Sequence, residues 1–208
     1  MSSFPNSPQL MKGGIALIDP DTSAIKKVIA LQYNPEMLTR TLQVRSLGTE
    51  GGDRLEALRF KGPPIETIRV EAEIDATDRL EFPDQNPNAQ DYGIHPQLAV
   101  LESIVYPTVD QLNAGNEMAQ SGTLEIAPPE APTTLFLWGD SRHVPVRLTE
   151  FTITEEAFDA SLNPIRAKVT LGMQVVSVYD VGFKHPAGQY FMSYLMQKEQ
   201  LAENSRAG

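Results

Sequence analysis

The feature that most constrains this chain is a long alternation of apolar and polar residues towards its C-terminal end. Ile165, Ala167, Val169, Leu171, Met173 and Val175 fall on one side, and Arg166, Lys168, Thr170, Gly172 and Gln174 on the other. Such period-2 alternation marks a β-strand with one buried face, here about twice the usual strand length. A second such strand runs from Val144 to Glu156, and the break at 157–164 makes the pair a half-buried antiparallel hairpin. In the first of the two, Val146 and Leu148 share a phase while Phe151 and Ile153 are displaced by one. A β-bulge at Thr149-Glu150 keeps all four inside. A similar slip is expected at Val175-Val176. The apolar run Thr134–Gly139 leads into the hairpin, and nothing in the stretch has the look of an active site.

The rest of the chain supplies partners for these strands. Residues 1–12, with Pro5, Pro8 and three serines, read as a flexible arm. Ile15–Ile18 and Lys27–Leu31 flank a turn at 19–23, a second hairpin. After Asn34-Pro35 a third strand covers 38–44. Residues 47–64, rich in glycine and ending in Pro63-Pro64, read as a loop. Ile68, Val70, Ala72 and Ile74 then alternate with Arg69, Glu71, Glu73 and Asp75 in a strand with one solvated face. Residues 76–95 are expected to be a polar loop. A helix follows with Leu98, Leu101 and Val105 at helical spacing, stopped by Pro107. Residues 113–132 read as a long connection. Beyond Gly182 and Pro186 a terminal helix carries Phe191, Tyr194, Leu195 and Leu201 on one stripe, with Lys198 towards the other side. The order excludes an alternating βαβ chain and predicts a mainly β antiparallel sandwich or barrel with one packed helix and a C-terminal helix. Its parts are an arm at 1–12, a β domain at 13–181 and a helical extension at 182–208.

Composition narrows the function. The net charge of −10 argues against nucleic-acid binding and against adhesion to anionic lipid. The absence of cysteine excludes disulfides, thiol catalysis and cysteine metal sites. No apolar run approaches the roughly 18–20 residues that span a membrane, and residues 1–11 lack the features of a secretory signal, so synthesis in a cytoplasm is expected. His95, His143 and His185 have no metal-ligand spacing. Gly139-Asp140-Ser141 sits between two antiparallel strands, where it is turn chemistry rather than a nucleophile elbow. Asp75-Ala76-Thr77-Asp78 reads as a strand-ending turn, since two acids are too few for a calcium site. Glu155 and Glu156, adjacent on a strand, point to opposite faces and form no catalytic pair. The expectation is a protein without catalytic residues, metal or cofactor. A stand-alone ligand-binding β-sandwich is the reading from another class.

Several blocks, in order, resemble one known family. They are Leu31-Gln32-Tyr33-Asn34-Pro35 with Leu38, Ile74–Asp78, Gly93–Glu102 with Val105-Tyr106-Pro107, Leu135–Gly139, Val144–Thr149, Ile153–Asp159 and Leu162–Ala167. These resemble the tube and baseplate adaptor proteins of contractile injection systems, particles related to phage tails. The resemblance implies a fold like phage tail-tube proteins, with two sheets closing into a barrel-like sandwich. It further implies a hexameric ring that joins the inner tube to spike and baseplate proteins; the main inner-tube protein of the same particle is the alternative. Many members carry a LysM module, for which the sequence to Gly208 leaves no room. The particle is expected to assemble in the cytoplasm without membrane insertion. Assembly contacts are expected at Trp138, Arg147, Glu155, Glu156, Asn163, Arg166, Phe191 and Tyr194.

Overall fold

The computed structural model describes residues 13–19, 24–32, 35–45, 60–120 and 132–205. The arm expected at 1–12 and residues 47–59 of the expected loop lie outside them. Strands β1 (Gly14–Ile18) and β2 (Ile25–Ala30) form the first hairpin, and β3 (Leu38–Gln43) pairs with β4 (Ile65–Asp75). Strands β5 (Thr133–Leu137), β6 (His143–Phe158) and β7 (Pro164–Val175) complete the set. All seven join one antiparallel sheet in the order β2-β1-β5-β6-β7-β4-β3. The fold is mainly β with flanking helices, as the alternation predicts. Two sheets, implied by the resemblance, resolve into one because β5 hydrogen-bonds to both β1 and β6 and leaves no gap between halves.

That sheet cannot be flat. Five strand spacings of about 4.8 Å would put β2 some 24 Å from β4. Yet Gln32, two residues beyond β2, donates its amide to the Asp75 carbonyl at 2.6 Å and accepts from the Asp75 N–H at 3.1 Å. The sheet is therefore rolled until its β2 side meets the far end of β4. Inside the roll lie Ile68, Val70, Val169, Leu171, Met173 and Phe136, each exposed by 1% or less and so fully removed from water. β1 and β5 are buried on both faces. Ile15, Leu17 and Phe136 face the main core, while Ala16, Ile18 and Leu135 form a smaller cluster outside it.

The expected bulge is present. Leu148 pairs with Met173 and Glu150 with Gly172, so Thr149 is the extra residue. Gly172 belongs there because a Cβ would lie 2.8 Å from that of Glu150. Removing Thr149 leaves Leu148, Glu150 and Phe151 alternating in, out, in, with every downstream pair unchanged. Deletion of Thr149 is expected to leave a cooperatively folding chain with a straighter β6, since the extra residue is unpaired and bends the strand. A melting curve checks it, and loss of the cooperative transition would contradict the register. The slip expected at Val175-Val176 is instead the end of β7, where the Val176 N–H donates to the Pro145 carbonyl at 2.9 Å.

The helices depart further from the sequence reading. Residues 76–95 are not an irregular loop. They hold α1 (Thr77–Leu80), a 3₁₀ turn at Pro83–Gln85 and α2 (Pro87–Tyr92). The Asp75 carboxylate accepts from the Thr77 N–H at 2.6 Å and starts the first of them, while Pro83 and Pro87 take first-turn positions. Helix α3 (His95–Glu102) buries Leu98 and Leu101 as expected, but Val105 lies beyond it and is exposed, and Ile104 takes its place in the core. Part of the expected long connection is α4 (Val109–Gln120); residues 121–131 lie outside the described residues. After β7 come α5 (Val178–Val181), with a capping box from Ser177 and Asp180, and α6 (Pro186–Asn204), capped by the His185 imidazole. Helices α1 to α3 close the Asp75 end of the roll. Helix α6 closes the Glu66 end, sending Phe191 and Tyr194 into the main core.

Candidate assembly surfaces

The eight residues expected to serve assembly fall into two groups. Arg147, Glu155, Glu156, Asn163 and Arg166 belong to the β6–β7 hairpin; Trp138, Phe191 and Tyr194 gather at the α6 end. On the outer face of the hairpin, Arg147 donates to Gln174 at 2.8 Å and Glu156 pairs with Lys168 at 3.4 Å. Arg166 binds Asp75 at 2.7 Å and lies 3.5 Å from Glu73. Burial alone would raise the Asp75 carboxyl, but hydrogen bonds from Thr77 and Arg166 outweigh it and hold the group below the ordinary aspartate range. Glu155 lies opposite Ala167, on the other face from Glu156 as expected, and is exposed.

At the hairpin tip, Asp159 accepts from the backbone N–H of Ser161 and Asn163 and from the Asn163 amide at 2.7, 2.8 and 2.9 Å. The Asn163 amide also reaches the Asp91 carbonyl at 3.2 Å, and the Ile94 N–H donates to the Pro164 carbonyl at 2.9 Å. The Asn163 contacts hold the Asp159 carboxyl below its usual value. Phe158 and Leu162 stand half or more exposed on this tethered tip, with Ala157 and Leu162 at positive φ. The tip thus offers apolar side chains on a backbone already fixed, which lowers the ordering cost of a contact.

The second group is more buried than an exposed contact set. Trp138 stacks on Phe136 with centroids 5.6 Å apart, and Phe191 and Tyr194 are core residues. Their neighbourhood holds what the sequence reading passed over, the buried carboxylate of Glu66. It accepts from Arg40 Nε at 2.7 Å, Tyr194 Oη at 3.0 Å and Lys198 Nζ at 3.0 Å, and Lys198 also lies 4.0 Å over the Tyr194 ring. Lys198 is therefore on the packed side of α6, not the outer side, because a partnerless Glu66 would be costly inside. Burial works against the Glu66 charge, yet hydrogen bonds from Lys198 and Arg40 keep its carboxyl below the usual range. Burial first, and then Glu66, push the Tyr194 phenol up. The signal was in the sequence. Glu66 is in phase with Ile68, Val70, Ala72 and Ile74, an acid on an apolar face.

Two cavities accompany these groups. One of about 440 Å³ lies between β2, β4 and α3, walled by Val28, Leu31, Ala72, Ile74 and Val100. A smaller one, about 130 Å³, lies beside Tyr194. The Gly139-Asp140-Ser141 segment is a turn closed by the Trp138 N–H on the Arg142 carbonyl at 2.9 Å, and no histidine hydrogen-bonds Ser141 among the described residues. No helix among them is long and apolar enough to cross a membrane.

Residues 15–178 match the family described as contractile injection system tube protein. No curated protein gives a match. The matched segment begins in β1 and ends at the first residue of α5, taking in the whole rolled sheet and leaving α6 outside. The chain belongs to the family of contractile injection system tube proteins.

Proposed function

We propose that this chain is a non-catalytic ring subunit acting as tube initiator or adaptor, seating the inner tube of a contractile injection particle on its spike and baseplate. A tube-family protein works in a multi-subunit particle with other tube components. A hexameric ring, assembled in the cytoplasm without a cofactor, is the form proposed here. The observation that carries the adaptor role is α6. It lies beyond the matched tube region, covers one end of the roll, and turns exposed Leu195, Met196 and Leu201 outward. An added, partly apolar end cap supports contact with a layer unlike the tube itself. The family's description favours the other reading, the main inner-tube protein. Copy number separates the two. Quantitative mass spectrometry of purified particles is expected to find one or a few rings of this chain per spike; the many rings of a full tube would overturn the adaptor role.

A further inference from the structure

We propose that the small cavity beside Tyr194 receives a carboxylate side chain from helix α4 of a second copy of this chain. The inference rests on the ring-building reading above and names one contact within it. The cavity is lined by Arg40, Arg142 and Lys198, by the hydroxyls of Ser141 and Tyr194, and by the amide of Gln197. Among the described residues Glu66 answers two of these cations, its oxygens already holding Arg40, Tyr194 and Lys198. Arg142 has no acid partner among the described residues. Three cations thus line a cavity in which one carboxylate pairs with two of them, in a chain whose net charge is −10. A volume of about 130 Å³ admits one acidic side chain and little more.

Helix α4 is the matching donor. It buries none of its residues, and a helix of twelve residues is marginal alone in water. Asp110 and Glu117, two turns apart, share one exposed face. The cavity is at the Glu66 end of β4, while α4 follows α3 in the chain and α3 packs towards the Asp75 end, the two ends of β4 being about 30 Å apart. The contact is thus head-to-tail, the kind that propagates into a ring or a stack.

Sedimentation velocity of the full chain at low ionic strength tests this, with melting curves to confirm folding. Arg142→Glu, on the turn at the cavity and outside the hydrogen bonds of Glu66, is expected to weaken self-association about tenfold. Asp110→Lys with Glu117→Lys is expected to do the same, and the combination to recover most of the loss, as coupled sites do. A parent that associates equally well with every reversal would overturn this contact and leave the ring reading standing. A parent that stays monomeric would overturn both. Sulfate that stabilises the parent but not Arg142→Glu, with association unchanged by the reversals, would make the cavity a small-anion site and overturn the proposal.

Discussion

Replacing Glu66 with alanine is expected to lower the stability of the chain by about 3 kcal/mol at neutral pH, because it leaves the charges of Arg40 and Lys198 facing a buried site without their carboxylate. For a chain of this size the melting temperature should fall by roughly 6–12 °C. The loss depends on pH, and the sign follows from the direction of the Glu66 shift. Its folded carboxyl titrates below its ordinary value of 4.5, so its contribution is complete above that pH and fades as pH falls through the folded value. Parent and variant should therefore converge in acid and differ most near neutrality. Calorimetry across that range checks both points; a gap that stayed constant into acid would remove Glu66 as the cause. Tyr194→Phe takes away two hydrogen bonds, one given to Glu66 and one accepted from Arg40, but no charge, and should cost about 2 kcal/mol.

Gly93→Ala is the second large effect, expected at about 4 kcal/mol, from two separable sources. Gly93 has φ 57° and ψ −126°, a conformation that disfavours any side chain. Its Cβ would also collide with the Pro164 carbonyl oxygen, the acceptor for the Ile94 N–H. Gly139 supplies the control. Its φ is 69° and a Cβ there would meet nothing within 4 Å, so alanine encounters backbone strain alone. Gly139→Ala should cost roughly 1–2 kcal/mol. The difference measures how firmly the hairpin tip is held against α2 and α3. Equal losses in denaturant titrations would mean that the tip yields freely, contrary to the Asn163 and Pro164 contacts.

What the sequence disclosed depends on whether an element faces one environment or two. β4 and β7 each set a continuous apolar face against a polar one, so alternation named them, and the phase jump between Leu148 and Phe151 even located the bulge at Thr149. Helices α1, α2 and α4 bury one residue among them, Ala89, so no stripe marked them. The rolling of the sheet was hidden for another reason. It depends on a side chain, Gln32, imitating a strand across a distance in sequence that no local pattern records. At the α6 end the aromatic stripe was legible, but its partner lies far away in sequence. Tyr194 has the pattern of a surface contact, and only the pairing of β3 with β4 brings Arg40 beside Glu66 to make it a core residue. The hairpin residues Arg147, Glu156 and Arg166 were legible as an outward face, though not the cross-strand pairing of Glu156 with Lys168 and of Arg166 with Asp75.

The Gln32–Asp75 junction also gives the roll an unequal stiffness. Elsewhere around its circumference, neighbouring strands are laced by full hydrogen-bond ladders, and widening it there would break many bonds together. Along this one line, the described residues are joined by the two bonds of a single amide, beside a cavity of about 440 Å³. The two bonds themselves contribute roughly 1–3 kcal/mol at the net value of about 0.5–1.5 kcal/mol for each hydrogen bond, and the buried Ile29 and Leu31 beside them add apolar contact. Among the described residues the sheet is thus a cylinder split along one line, where a side-chain amide and apolar packing take the place of a strand ladder.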